Sequence, residues 1–334
     1  MPVGVGLIGL GMATAPHMLA LRDLVIDEKV SIVGGFSPSA GRREAFAERW
    51  KVPVFATQEE LLAQPELGLV LILTPPGTHL PVAEAVARSG RAMIVEKPVE
   101  VSVQRGEALA ELAERHGVAC GVCLQHRFRP AALRLRQALQ DGELGRILSA
   151  SASIRWWRDA AYFAEPGRGT RARDGGGVLL TQAIHTLDLL LHLVGPHRAL
   201  AGFAATSPLR RIDTEDIVAA ALQFENGAIG VLDATTVARP GYPERIEIAG
   251  TEGSAVLEGS HLTLHGRGAP ETLGATAAGG GADPMAFDHA PHRVLIADVL
   301  EAMATGRAPA CDVRSALAVQ RLIEDLLRDA EARA

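Results

Sequence analysis

Cysteine, basic clusters and long apolar runs are all scarce in this chain. It has three cysteines in 334 residues, too few for a disulfide framework in a protein of this size. Cys120 and Cys123 form a C-x-x-C, but both lie inside the apolar run Val118–Leu124, which reads as a strand. A redox pair would need a helix N-terminus to stabilise its thiolate. A zinc site would need a second ligand pair, and the neighbouring sequence has none. Core packing is the expected role of both thiols, and no metal site is predicted. The net charge is −6 with no basic block or stripe, which excludes a phosphate backbone as partner. No apolar run approaches the ~20 residues that cross a bilayer, so no membrane partner is expected. Met1-Pro2-Val3-Gly4 enters a strand with no basic n-region, which argues against secretion. With reduced thiols, the chain reads as cytoplasmic.

Apolar residues make up 48% and charged residues 22%, enough for two cores, and the length favours two domains. The first third alternates strand and helix. Val3–Ile8 ends at Gly9-Leu10-Gly11, and a helix follows from about Ala13. Val30–Phe36 is a strand, and Ser37-Pro38 is expected to cap and start a helix through Trp50. Thr57-x-x-Glu60 reads as a capping box. Leu69–Leu73, Ala92–Val95 and Val118–Leu124 are strands, separated by helices from about His79 to Gly90 and over Ser102–His116. The rhythm is read as six strands in a doubly wound parallel sheet, of which these five are given ranges.

After Arg129-Pro130 the pattern changes. A helix (Ala131–Gln140), a strand near Ile147–Trp156 and a Gly- and Arg-rich loop over Arg158–Gly176 precede an apolar helix, Val178–Val194. Strands are then expected at Ala199–Thr206, Asp216–Phe224, Ala228–Thr236, Arg245–Gly250, Ser254–Glu258 and His261–His265, with a hairpin at Glu225-Asn226-Gly227. Gly266–Gly281 is low in complexity and is expected to be a loop. Helices near Met285–Thr305 and Ser315–Ala330 close the chain. The expected fold is α/β: a Rossmann-type domain over 1–124, then an α/β domain over 125–334 with a large, open, mainly antiparallel sheet. Such a sheet leaves one apolar face uncovered, so a homo-oligomer, dimer or tetramer, is expected.

Gly9-Leu10-Gly11-Met12-Ala13-Thr14 resembles G-x-G-x-x-G, with Thr14 at the third glycine. It follows a strand and opens a helix, the context in which the backbone at Gly9, Gly11 and Met12 can approach a pyrophosphate. An acidic residue after the second strand would hold the ribose of NAD. Ser37, Arg42 and Arg43 stand there instead. Serine does not repel a 2′-phosphate and an arginine can pair with one, although both arginines could simply solvate a helix. The cofactor is therefore NAD or NADP, with a slight lean to NADP. Thr74-Pro75-Pro76-Gly77-Thr78-His79 turns at the carboxyl edge of the sheet, where ligands bind. Thr74, Pro75 and His79 could line the ribose, or His79 could be structural.

Glu96-Lys97-Pro98 ends another strand at that edge. In the second domain, Thr181, His185 and Asp188 fall at i, i+4 and i+7 on an apolar helix, one shared face that is costly to bury without partners. These features together resemble the glucose–fructose oxidoreductase / inositol dehydrogenase / MocA family. The resemblance implies that Lys97 and His185 face the nicotinamide and a sugar, sugar acid or cyclic polyol, and handle the hydroxyl proton as a hydride passes between the substrate carbon and the nicotinamide. His185 titrates in the useful range, whereas Lys97 needs desolvation to act as a base. Members similar to inositol dehydrogenase carry an aspartate where this chain has Thr181, so the carboxylate-assisted relay is in doubt here.

Gln125-His126-Arg127-Phe128, Asp174-Gly175-Gly176-Gly177 with Gln182-x-x-His185, and Pro243-Glu244-Arg245 look like the UDP-N-acetylglucosaminuronate 3-dehydrogenases. That likeness implies a role for Gln125 at the cofactor. It also implies that Arg127 or an arginine of the loop Arg168–Arg173 grips an anionic group. Read from the residues, Trp156-Trp157 could supply a stacking wall, with Trp157 the candidate, and Asp174 could contact substrate. The loop arginines could equally be solvated, and Asp174 could cap a helix. Two rival readings remain open from sequence: a glycoside hydrolase using transient oxidation by NAD, and a non-catalytic dinucleotide sensor.

Overall fold

A computed structural model of the protein describes residues 1–274 and 288–333. The chain forms two compact units. The first runs from Met1 to Gln125 as β1 (Val3–Ile8), α1 (Thr14–Ile26), β2 (Val30–Phe36), α2 (Ala40–Trp50), α3 (Gln58–Leu62), β3 (Leu67–Ile72), α4 (His79–Arg88), β4 (Ala92–Val95), α5 (Val103–His116) and β5 (Cys120–Val122). Its sheet has the order β2-β1-β3-β4-β5 and every pairing is parallel. The strands are buried on both faces, as parallel strands between helices must be. The order reverses beside β1, and the carboxyl ends of β1 and β3 form the crevice where such sheets take ligands.

Five strands form where six were expected. Between β2 and β3 the chain makes only an isolated bridge, Val54 to Gly35. Helix α2 starts two residues later than the serine–proline pair suggests. Its cap is Ser39, whose hydroxyl accepts the Arg42 N–H, and Ser37 lies outside the helix. The capping box at Thr57 and Glu60 forms with both reciprocal bonds.

The second unit begins at His126. It contains α6 (Pro130–Gln140), β6 (Ile147–Arg155), two short helices α7 (Ala160–Phe163) and α8 (Arg171–Asp174), a π-helical turn (Leu179–Ala183) and α9 (Ile184–Val194). Then come β7 (His197–Ala205), β8 (Ile217–Phe224), β9 (Ile229–Thr235), β10 (Arg245–Gly250), β11 (Ser254–Glu258), β12 (His261–His265) and β13 (Glu271–Leu273). The sheet order is β13-β12-β11-β10-β6-β9-β8-β7. Only β6 and β9 pair in parallel; the other ladders are antiparallel. β8 alternates exposed and buried along its whole length, the signature of a sheet packed on one face. The Arg158–Gly176 segment is not plain loop, since α7 and α8 lie within it. β13 lies inside the segment read as loop, and the rest of that segment beyond residue 274 is outside the described residues.

α10 (Ala290–Thr305) joins the first unit, packing on α1, and α11 (Val313–Arg333) divides between the units at Leu317. The expected start of α10 at Met285 falls outside the described residues. Arg171–Val194 is the one described segment long and apolar enough to cross a membrane by length and composition, and 83% of its apolar window is buried inside the protein. Within it, α9 packs against β6, β10 and α6 in the second unit.

Candidate active site

At the carboxyl edge of the first sheet, the turn after β1 uses its two glycines differently. Gly9 has φ +98°, and a Cβ there would lie 2.6 Å from the carbonyl of Leu73, so the fold itself demands glycine. A Cβ at Gly11 would meet nothing within 4 Å. The protein does not need glycine there, whereas a ligand lying against the turn would. Thr14, in the third glycine's place, is buried and braces the turn through a 2.7 Å bond from its hydroxyl to the Gly11 carbonyl. Met12 stands exposed at the tip. After β3, the buried Thr74 hydroxyl lacks a hydrogen-bond partner. An orphaned donor at this edge suits a ribose or phosphate oxygen. This turn and this hydroxyl fit a dinucleotide.

Other candidates have duties inside the protein. Ser37 is 2% exposed; its hydroxyl accepts the Ser39 N–H, and its carbonyl takes a 2.7 Å bond from the Arg43 guanidinium. Arg42 is exposed at the start of α2. Pro75 is exposed, but His79 is fully buried, with its ring nitrogens 2.8 and 3.0 Å from the carbonyls of Thr74 and Val99. His79 therefore ties two loops together and offers no surface to a ribose. Gln125 is 8% exposed and accepts the Cys123 thiol.

Lys97 sits half-buried just past β4, before a cis peptide to Pro98. The carboxylates on either side of it are anchored. Glu96 Oε1 lies 2.8 Å from His17 Nε2, and Oε2 accepts the Lys97 N–H at 2.9 Å. Burial alone would raise the Glu96 carboxyl, but the His17 bond and the nearby charges of His17, Lys97 and His292 hold it well below the usual range. Glu100 is fully buried. It accepts the Leu80 and Val101 N–H groups and two bonds of 2.9 and 2.7 Å from Arg105. Those bonds outweigh its burial and keep its carboxyl low.

In the second unit, Thr181 and His185 are the half-buried positions in an otherwise buried run from Gly176 to Leu191. The π turn containing Thr181 breaks regular α spacing, a frequent mark of functional sites. Thr181 donates to the Gly177 carbonyl at 2.6 Å. His185 stacks on His126 with centroids 4.9 Å apart. Asp188, which the helical spacing puts on the same face, is enclosed where Thr181 and His185 are not. It is 1% exposed and takes two bonds, of 2.7 and 2.5 Å, from Arg127. Burial pushes the Asp188 carboxyl up, against the pull of Arg127. The bidentate edge of Arg127, read in sequence as a grip for a ligand anion, faces this partner. Beyond it, His192 is pushed down to about 3 by burial and by the charges of Arg127 and Arg136.

The loop residues are also engaged. Arg168 pairs with Glu165 and lies over the Tyr162 ring at 4.7 Å. Asp174 accepts the Gly169 N–H at 2.6 Å and ends α8 instead of capping the long helix. Trp157 is half-buried under Arg239, whose guanidinium is 4.1 Å from the ring centroid, while Trp156 points into the core. Glu244 pairs with Arg129 at 2.6 Å. Sequence reasoning missed His17, Glu100 and His292, each of which acts on the Glu96–Lys97 neighbourhood or its anchors. The one local signal was His17, a histidine inside the helix that follows the Gly-rich turn.

Comparison with known proteins covers both units. The family described as "Oxidoreductase family, NAD-binding Rossmann fold" matches residues 3–124, and "GFO/IDH/MocA C-terminal domain" matches residues 132–256. The chain is 28% identical over 269 residues to scyllo-inositol 2-dehydrogenase (NAD(+)) of Bacillus subtilis, covering 77% of this chain and 75% of that protein. It is 29% identical over 301 residues to D-apiose dehydrogenase of Paraburkholderia graminis, covering 88% and 76%. The crystal structure of the WlbA dehydrogenase from Bordetella pertussis, in complex with NADH and UDP-GlcNAcA, is 25% identical. It superposes with a TM-score of 0.84 over 100% of this chain and 98% of that one.

Proposed function

This chain belongs to the Gfo/Idh/MocA family of oxidoreductases, and from that premise we propose the roles of its residues and the class of its substrate. It is an NAD(H)-dependent dehydrogenase that acts on CH–OH groups of sugars or polyols. The dinucleotide, when bound against Gly9, Gly11, Met12 and Thr74, accepts or supplies the hydride. His185 takes the hydroxyl proton as the carbinol is oxidised, and Lys97 orients and polarises the same oxygen. The observation that carries this assignment is exposure. Lys97 and His185 are partly accessible ionisable groups, whereas the carboxylates near them in sequence, Glu96 and Asp188, are already paired with His17 and Arg127. Thr181 cannot ionise, so His185 passes its proton to solvent without a carboxylate relay.

Lys97→Ala and His185→Ala should each lower kcat by about 10²–10⁴-fold and leave NADH affinity within a few-fold. Normal turnover in either variant would overturn the assignment. Gly11→Ala should leave thermal stability unchanged and weaken NADH binding, because only the ligand needs that space.

The substrate we favour is a nucleotide-linked sugar acid, supported by the likeness to WlbA, solved with NADH and UDP-GlcNAcA. Arginines at 155, 168, 171 and 173 keep this segment cationic, although each already has an acidic partner. Initial rates with UDP-GlcNAcA, scyllo-inositol and D-apiose test the choice; a preference for either free polyol or sugar by kcat/KM would reverse it. For the cofactor we favour NAD(H) over the NADP suggested by Ser37 and Arg42. Arg43 is bound to the Ser37 carbonyl, and the WlbA complex contains NADH. Parallel fluorescence titrations with NADH and NADPH decide it.

We also propose that the chain self-associates through the open face of its second sheet. Phe203, Ile229 and Val231 on that face are 69, 55 and 57% exposed, a cluster of apolar side chains that water disfavours. Val231→Asp with Phe203→Asp should convert the oligomer to monomer in light scattering.

A further inference from the structure

Four side chains that are far apart in sequence meet inside the first unit. His17 comes from α1, Glu96 from the end of β4, Cys123 from just past β5 and His292 from the first turn of α10. One ligand atom from each lies within 4.8 Å of the others. His17, Cys123 and His292 are 0, 1 and 4% exposed, and the Glu96 side chain is 15% exposed. The two imidazoles meet edge to face with centroids 5.0 Å apart, and the Nδ1 atoms of both are buried without a hydrogen-bond partner. His17 turns its Nε2 to the Glu96 carboxylate and the Cys123 thiol, and the buried Nδ1 on the far side of each imidazole leaves the cluster's hydrogen bonding incomplete, which asks for an explanation.

We propose that His17, Glu96, Cys123 and His292 form a binding site for one divalent ion of the zinc type. The donor set is two imidazoles, a thiol and a carboxylate, the mixture that suits zinc and excludes calcium and magnesium. Cys123 Sγ and His17 Nε2 are 3.8 Å apart. Metal–nitrogen and metal–sulfur lengths of about 2.0 and 2.3 Å at a tetrahedral centre imply about 3.5 Å between them, so little movement is needed. Binding forms the sulfur–metal bond as the thiol proton leaves to solvent. One thiolate, one carboxylate and two neutral imidazoles then offset the dication without a further buried charge. Four protein ligands leave no open position, the pattern of a structural site. The ion would fasten the residue preceding Lys97 to α1 and α10, while Glu96 keeps its second oxygen on the Lys97 N–H.

The test uses the intact protein expressed with added zinc and freed of loose metal by gel filtration. Elemental analysis should find one zinc per chain, falling at least tenfold in Cys123→Ala and in His292→Gln. Cobalt substitution of the unaltered protein should produce a thiolate-to-cobalt charge-transfer band that needs no variant to interpret. A strong chelator should lower the melting temperature of the unaltered protein and leave that of Cys123→Ala unmoved. Protein that retains no zinc and melts at the same temperature with or without added zinc would show the cluster to be metal-free. A cobalt-loaded protein lacking the charge-transfer band would overturn the site equally.

Discussion

Each unit holds a paired carboxylate within three residues of a proposed reactive side chain, and the two carboxylates are held in opposite ways. Glu96 precedes Lys97 and pairs with a histidine, keeps 15% of its side chain exposed and is driven low by several positive neighbours. Asp188 lies one helical turn after His185 and pairs bidentately with Arg127, with both groups almost fully enclosed. Burial there pushes the carboxyl up and a single cation resists it. The second partner is a guanidinium, whose charge is permanent. Asp188–Arg127 therefore acts as a fixed strut, whereas Glu96–His17 sits in a cluster with Cys123 and His292.

The sharpest way to break this contrast is to remove one end of the strut. Arg127→Ala leaves Asp188 as an uncompensated buried charge and should cost about 3–5 kcal/mol in urea unfolding. The double variant Arg127→Met, Asp188→Leu should recover most of that, because an apolar pair of similar volume is tolerated. A cost of Arg127→Ala near zero would mean that Asp188 is not the strut described.

Acidification probes the same neighbourhood next. His192 has its folded pKa depressed from 6.5 to about 3, so the unfolded chain binds the extra proton between those values. Its contribution is intact above about pH 6.5 and is lost as pH falls toward 3, amounting to about 2 kcal/mol by pH 5. His192→Gln should flatten that part of the stability–pH curve. Glu96, also depressed, acts with the same sign but only below the ordinary carboxylate range.

In metal-free protein, His17→Gln should cost about 1–2 kcal/mol, that of a partly buried hydrogen bond to a charge. Its diagnostic effect is on kinetics: the pH profile of kcat should shift as the carboxylate beside Lys97 loses its partner. An unmoved profile would make His17 merely structural. Smallest of all, Ser39→Ala should lose about 1 kcal/mol for the α2 cap, while Ser37→Ala should leave that cap intact.

The reach of the sequence varied with the range of the interaction. Thr57 and Glu60, three residues apart, were read correctly because both partners of a capping box are local. β2, β4, β10, β11 and β12 were read to the residue because burial of a strand is written in its own side chains. Ser37 was mistaken for the α2 cap because two serines flank one proline and only backbone geometry chooses between them. Asp188 was read as sharing one face with Thr181 and His185, costly to bury without a ligand or one another; it lies in the same α9 as His185, but its partner is Arg127, from outside the helix. Arg127 looked like a free guanidinium because its partner is sixty-one residues away. C-x-x-C was read as core because its neighbours in sequence hold no ligands, yet Cys123 meets His17 and His292 in space.

What the sequence determined alone was periodicity and punctuation: alternating strands and helices, a glycine-rich turn after the first strand, a lysine at a strand end and a histidine on an apolar helix. Those features arise from sterics and burial within a few residues, so they need no fold to be visible. Which polar groups are spent on one another, and which stay accessible, was decided only when distant elements packed. Desolvation makes an unpartnered buried charge too costly to keep, and the partner that satisfies it can come from any part of the chain.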